Sequence, residues 1–302
     1  MNVLVTGSSG FLGRYLIPYL ESKNHLVTAL NSKEFNLTDC RSLYQLQDTH
    51  FDYIYHLAAW TQAGDFCYHH GGEQWIINQQ INTNVLAWWK DKCPQAKMIA
   101  MGTSASYATE NDLVETKYLE GQPIDKFYAY AMTKRMLLAG LQSLHTQFGM
   151  NYLYVIPSTL YGPQYHLDGR QMHFIFDLIR KILDGKLHNK EVILWGDGYQ
   201  TRELVFIDDF VKTLYDLNGK CSNDYFNLGS GDAYTIRQFA EMICEAVDYD
   251  AGKIHYDKEG YVGAKSKLLN IEKLRLKIDF DQTPIKTGIA KTILWMKESF
   301  FK

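Results

Sequence analysis

Three side chains in the middle of the chain have the types and spacing of an acid–base set. Thr103 stands in the run Gly102-Thr103-Ser104-Ala105-Ser106, and Tyr130 and Lys134 follow it, four positions apart. On a helix, residues i and i+4 share a face, and the Ala, Met and Leu residues around this pair predict a helix. A tyrosine titrates near ~10 in water and is a poor base at neutral pH. A neighbouring ammonium stabilises the phenolate and lowers that value. With Thr103 holding a substrate oxygen and Tyr130 taking or giving its proton, the trio suits hydride exchange between an alcohol or ketone and a nicotinamide. Taken alone, a Tyr-x-x-x-Lys pair in a chain with 21 tyrosines is an ordinary exposed helix pair. What separates this one is the order of the elements around it.

Those elements begin at the N-terminus. Asn2 to Thr6 reads as a buried strand, bounded at once by Gly7-Ser8-Ser9-Gly10-Phe11-Leu12-Gly13. Arg14 to Lys23 has helical character, and His25 to Leu30 is the next strand. In such a βαβ unit Gly7 makes the tight turn, Gly10 lets a pyrophosphate approach the backbone, and Gly13 lets helix and sheet pack closely. The helix N-terminus then offers its unpaired N–H groups to the phosphates. The second strand ends in Asn31, Ser32 and Lys33, with no carboxylate before Glu34. An acid there would hold the ribose of NAD, whereas these residues can accept a 2′-phosphate. NADP is therefore favoured, with NAD left open and Lys33 also readable as a solvated charge. Asp39 is either an acceptor for an adenine amino group or the N-cap of a helix over Arg41 to Leu46. Tyr53 to Ala59 is a third strand, whose end Leu57-Ala58-Ala59 is small enough for a cofactor or for tight packing. Lys97 to Met101 is a fourth, delivering Thr103 to the carboxyl edge of the sheet, where α/β ligands bind.

The bulk numbers fit one large domain or two intimate ones. The chain has 302 residues, 46% hydrophobic and 22% charged, with 31 Lys and Arg against 34 Asp and Glu. That balance, near −3, lacks the basic excess of a nucleic-acid surface. The five cysteines, Cys40, Cys67, Cys93, Cys221 and Cys244, are scattered and odd in number. They predict a reduced cytoplasmic compartment with neither disulfide framework nor metal site. No apolar run reaches the ~20 residues of a membrane span, and no secretory signal is read at the N-terminus.

Together, these motifs resemble the extended short-chain dehydrogenase/reductase family of nucleotide-sugar epimerases, dehydratases and reductases. The carrying residues are Gly7, Gly10, Gly13, His56-Leu57-Ala58-Ala59, Asn84, Thr103, Tyr130, Lys134, the run Ile156 to Pro163 and the run Thr201 to Asp209. The resemblance spans nearly the whole chain. It implies a Rossmann-type doubly wound parallel sheet with a smaller mixed α/β substrate domain. The division it implies is residues 1–163 for the dinucleotide, joined later by 205–230, and residues 164–204 and 231–302 for the substrate. Ser9, Phe11, Leu12, Asn84, Pro157, Thr159 and Leu160 join the cofactor set, and Lys134 also holds the ribose.

Within the family, Glu34 to Asp39, Leu160-Tyr161-Gly162-Pro163, Leu194 to Gly198 and Arg202-Glu203 resemble the GDP-L-fucose synthase subgroup. Those enzymes reduce a 4-keto sugar with NADPH after epimerising it at C3 and C5 with a cysteine and a histidine. The histidine's counterpart is His173, but the cysteine's is Ala105, which cannot move a proton. The Asp–Glu pair of the family's 4,6-dehydratases is replaced by Ser104 and Ala105. What remains is chemistry at C4: reduction, oxidation, or epimerisation with retained cofactor. A cofactor-binding sensor without chemistry is the reading from another class. For the substrate, Arg202 and Lys267 are expected at the diphosphate, with Arg180 and Lys181 near. Ser104, Ala105 and His173 are expected at the sugar, and Trp195 at the sugar or base or in the core. Trp88 and Trp89 are expected to pack a helix on the sheet or on a partner. The helices around 78–90 and 128–144 are expected to form a four-helix homodimer interface, as the resemblance implies.

Overall fold

The protein is described from a computed structural model covering residues 1–47, 50–109, 112–259 and 265–300. The β-branched and apolar runs read from the sequence become the strands of a six-stranded parallel sheet. These are β1 (Asn2–Thr6), β2 (Leu26–Leu30), β3 (Tyr53–His56), β4 (Lys97–Met101) and β5 (Tyr152–Pro157), closed by a strand from much later in the chain, Asp224–Leu228. Between β5 and that last strand the chain forms β6 (Thr159–Tyr161), β7 (Val192–Trp195) and β8 (Thr201–Phe206), so Asp224–Leu228 is β9. The order β2-β1-β3-β4-β5-β9 has its switch point between β1 and β3, and the crevice at a switch point is where α/β sheets bind ligands. This is the doubly wound sheet expected from the sequence.

Helices cover both faces: α1 (Phe11–Ser22), α2 (Phe66–His69), α3 (Gly71–Lys92), α4 (Tyr128–Phe148), α5 (Phe174–His188), α6 (Ile207–Lys220), α7 (Ile236–Val247), α8 (Glu272–Arg275) and α9 (Ile285–Phe300). Helix α3 packs along α4, and α1 packs on α6. Trp88 and Trp89 are fully buried in the core of the main sheet. The helix expected over Arg41 to Leu46 is only a single 3-10 turn, Leu43–Gln45. Asp39 accepts the backbone N–H of Arg41 and pairs with its guanidinium, which satisfies the chain locally without a longer helix.

A second core lies beside the first. Here β10 (Ala233–Thr235), β8 and β6 form one small sheet, and β11 (Ile254–Asp257) pairs in parallel with β7. Helices α5, α7 and α9 bury Phe176, Ile179, Phe239, Ile243, Ile289 and Met296 against these sheets. Phe11 helps join the cores, its ring meeting Tyr15, Tyr165 and Phe176 edge to face. Among the described residues no helix is long and apolar enough to cross a membrane. No cluster of His, Cys, Asp and Glu there is arranged to hold a metal.

Candidate active site

The glycine turn is shaped for close approach. Gly7 has φ +70, and a Cβ there would lie 2.8 Å from the backbone nitrogen of Ala58. Only glycine adopts that conformation cheaply, so the turn touches the end of β3 at Leu57 and Ala58. At Gly13 a Cβ would come within 2.6 Å of the carbonyl oxygens of Gly7 and Ser8. Gly10 is the N-cap of α1 and supplies no side-chain cap, so the first-turn N–H groups, those of Leu12 and Gly13 included, are open to an anion. Ser9 is exposed beside them. These features fit a dinucleotide pyrophosphate, with Phe11 contributing its backbone while its ring serves packing.

The neighbouring loop departs from its sequence reading in part. Asn31 donates to the Glu34 carboxylate at 2.9 Å and accepts the Lys33 N–H. An acid therefore does stand at the end of β2, folded back through Asn31, beside exposed Ser32 and Lys33. Asp39 is committed to Arg41, as described. Asn84 donates its amide to the carbonyls of Leu37 and Thr38. It pins the loop carrying Asp39, and both amide protons are used there. Across the crevice, Pro157 ends β5, while Thr159 and Leu160 lie half-buried in β6.

At the carboxyl end of β4, Thr103 turns into a 3-10 element, Ser104–Ser106, that packs against α4. The Thr103 Oγ1 accepts the backbone N–H of Ala105 at 3.2 Å. With that lone pair filled, its own proton is left to donate. Ala105 is buried, so its methyl presents no titratable group. On α4, Lys134 is buried, with its Nζ 5.9 Å from the centroid of the Tyr130 ring. Burial pulls Lys134 down to about 8.

The expected depression of Tyr130 is not found. Burial pushes its phenol well above the ordinary value, and Cys67 and Tyr118 push it further. Desolvation of the phenolate dominates, and by the pH at which the phenol would ionise Lys134 has already lost its charge. Tyr130 is thus a firmly protonated donor. His56 lies behind this corner, buried between Thr6 Oγ1 at 2.9 Å and Asn82 Oδ1 at 3.1 Å. Burial and then Lys134 lower it to about 4, leaving it neutral.

The substrate side gathers cations. Thr201 N donates to Lys265 O, and Thr201 Oγ1 to Ser266 Oγ. This holds the segment carrying Lys267 beside Arg202 of β8. Lys267 is lowered to about 8 by burial and by the Arg202 charge, and its Nζ lies 5.3 Å from the centroid of Phe127, just ahead of α4. His173, the N-cap of α5, is exposed. Desolvation by the neighbouring chain, then His166 and Lys267, lowers its imidazole. Trp195 is 60% exposed, which removes the core reading and leaves its face available. Arg180 is not brought into this group, whereas Lys181 lies 5.8 Å from the centroid of the Trp195 ring. Arg180 pairs with Asp177 and Asp184; Lys181 pairs with Asp177 and donates to Ile193 O.

Several side chains support the site through contacts that the sequence does not show. Glu203 is buried and accepts the N–H groups of Gly231 and Leu269, fixing the chain two residues beyond Lys267. Cys67 receives a hydrogen bond from buried Gln74 and lies near Tyr130. Gln171 Oε1 accepts the Asp65 N–H at 2.9 Å, tying the loop after β3 to the chain just before His173. Each acts through a partner distant in sequence, so spacing cannot reveal it.

The family model of the NAD dependent epimerase/dehydratase family matches residues 3–229, three quarters of the chain. The chain belongs to that family. It is accordingly a nicotinamide-dependent enzyme. Among the curated relatives of this epimerase/dehydratase family member is the GDP-L-fucose synthase of Escherichia coli (strain K12). That protein is 26% identical over 98% of this chain and 97% of its own length. A dTDP-4-dehydro-6-deoxy-D-allose reductase of a Streptomyces species is also 26% identical, over 98% and 96%. The crystal structure of a GDP-L-fucose synthetase from Naegleria fowleri bound to NADP superposes with a TM-score of 0.87. It is 23% identical and covers all of this chain and 95% of the other.

Proposed function

We propose that this family member reduces the C4 ketone of a nucleotide-linked sugar, with GDP the favoured nucleotide. The observation that carries the reading is a corner with two hydroxyls able to donate. The Thr103 hydroxyl is anchored by the Ala105 N–H and keeps its own proton to give, and the Tyr130 phenol is held protonated by burial. Two such O–H groups aimed at one oxygen stabilise the charge that develops on a ketone as it becomes an alkoxide.

When bound, the cofactor supplies the hydride. Thr103 donates a hydrogen bond to the carbonyl oxygen and holds it. Tyr130 gives its proton to that oxygen, and the Lys134 ammonium compensates the phenolate left behind. Lys134 also binds the nicotinamide ribose. Gly7, Ser9, Gly10 to Gly13 and the strand ends at Leu57–Ala59 and Pro157–Leu160 form the cofactor wall. Asn31, Ser32, Lys33 and Glu34 form the adenosine end, where Lys33 favours the extra phosphate of NADP. Arg202 and Lys267 take the diphosphate: Lys267 is lowered by burial and by the neighbouring Arg202 charge, and an anion bound there would stabilise its ammonium. Trp195 lies against the base or sugar, and neutral His173 hydrogen-bonds the sugar. Residues 1–163 with 205–230 thereby serve the cofactor, and 164–204 with 231–302 the substrate.

Buried Ala105 supports a reaction without C3 or C5 epimerisation. A cytoplasmic homodimer fits the exposed apolar residues Trp75 and Ile76 of α3 and Tyr128 and Met136 of α4, which lie on the two helices expected to pair.

The test is turnover of NADPH or NADH with a panel of GDP-, dTDP- and UDP-linked 4-keto-6-deoxy sugars, with product identified by NMR. Stoichiometric nicotinamide oxidation with a new C4 alcohol is expected. An epimer formed without added nicotinamide would instead establish a C4 epimerase, and no turnover with cofactor bound would leave a sensor.

A further inference from the structure

Beneath the catalytic corner two fully buried phenols join its halves. Thr103 N donates to Tyr118 Oη at 3.4 Å, the Tyr118 and Tyr154 oxygens are 2.9 Å apart, and Tyr154 donates to Lys134 O at 2.8 Å. Both rings are 0% exposed. A carbonyl only accepts, so the Tyr154 proton goes to Lys134 O. In the Tyr118–Tyr154 contact Tyr154 is then the acceptor, and the Tyr118 oxygen accepts the Thr103 N–H beside the Ser106 hydroxyl. All three donors point one way, from the residue holding the substrate oxygen to the backbone of the residue holding the charge.

The surroundings are built on this pair. A Cβ on Gly102 would lie 2.7 Å from the Tyr154 ring, 2.8 Å from its oxygen and 2.9 Å from Tyr118 Oη. The residue before Thr103 therefore rests directly on the phenols. Arg135, adjacent to Lys134, donates to the carbonyls of Ser106, Glu120 and Gly121, holding the loop that carries Tyr118 against α4. Ser106 donates to Ala131 O.

We infer that Tyr118 and Tyr154 are positioning residues that set the distance between the Thr103 hydroxyl and the Tyr130–Lys134 pair. Neither touches the reacting atoms; their oxygens bond Thr103 and Lys134 only through the main chain. This inference rests on the working set assigned above. The connection runs through both phenols in series, so loss of either hydroxyl uncouples the two ends. Thr103 and Lys134 then drift by fractions of an ångström, which costs turnover more than binding.

The test is Tyr118→Phe, Tyr154→Phe and the double variant. Tyr107→Phe is the control, since the Tyr107 hydroxyl donates to Asn227 of β9 without reaching Thr103 or Lys134. Each single variant is expected to lower kcat about tenfold with the KM for both substrates and the affinity for NADPH unchanged. The double variant is expected to lose no more than either single one. Tyr107→Phe should lower Tm and leave kcat alone. Unchanged kcat in both folded single variants, multiplicative losses in the double, or an equal loss in Tyr107→Phe would each overturn the inference. Should Tyr154→Phe not fold, Tyr118→Phe against Tyr107→Phe decides. A wild-type protein that turns over no nucleotide sugar would refute the function proposed above without touching the bridge. The bridge is then judged by exchange of the Thr103 amide: faster in both single variants supports it, unchanged overturns it.

Discussion

The two walls of the cleft are built on different principles. On the catalytic wall Thr103, Tyr130 and Lys134 sit on the ends of a fully buried strand and a long helix, and hydrogen bonds tie their backbones together. On the substrate wall Arg202, Lys267, His173 and Trp195 come from a short strand, a loop, a helix start and a sheet edge, and Trp195 stands in solvent. The proposed chemistry is held by buried elements, whereas the proposed recognition comes from loops and the ends of elements. A change on the first wall should therefore act on kcat, and one on the second on KM.

The sharpest way to break that contrast is Tyr130→Phe. It should reduce kcat by about a thousandfold, within the range for a positioned acid, while NADPH titration shows near-normal binding. Substantial activity in this variant would remove the catalytic wall from the mechanism. Next in size is an effect on stability. Neutral buried His56 titrates near 4 in the folded protein, against an ordinary value of 6.5, so the unfolded chain binds the extra proton first as pH falls. Stability is then lost between about pH 6.5 and 4, by roughly 3 kcal/mol. Denaturant titrations over that window should show a flatter slope in His56→Asn than in the wild type.

On the other wall, Arg202→Ala and Lys267→Ala should each raise the KM for the nucleotide sugar about 10- to 100-fold with kcat little changed. A matching fall in kcat would blur the distinction between walls. Lys134 loses its proton near pH 8, so reductive kcat should decline above about that pH, and a flat profile would show that its charge is not needed. Smallest is the adenosine end. Lys33→Ala should shift the NADPH-over-NADH preference only a few fold, since exposed charges interact weakly.

Much of the fold is legible in the sequence because its signals are local. The strands Asn2–Thr6 and Lys97–Met101 match their hydrophobic runs residue for residue. The departures have a common cause in side chains that turn back on their own loops. Asp39 has the type and place of a helix cap, but it turns to Arg41 and closes a tight turn. Glu34 stands beyond the last residue of the second strand, but Asn31 brings it back to the end of β2.

The sequence alone determined the order of parts: a glycine turn after the first strand, Thr103 after the fourth, and Tyr130 and Lys134 one turn apart. Spacing along a strand or helix fixes which groups share an edge or face, and those distances are covalent in origin. Only the tertiary structure decided the electrostatics. Burial raised Tyr130 where the adjacent lysine suggested the reverse, and it lowered Lys134 and Lys267 together. It also joined Thr103 to Lys134 through Tyr118 and Tyr154. Desolvation depends on everything that packs around a group, and that is set by residues far from it along the chain.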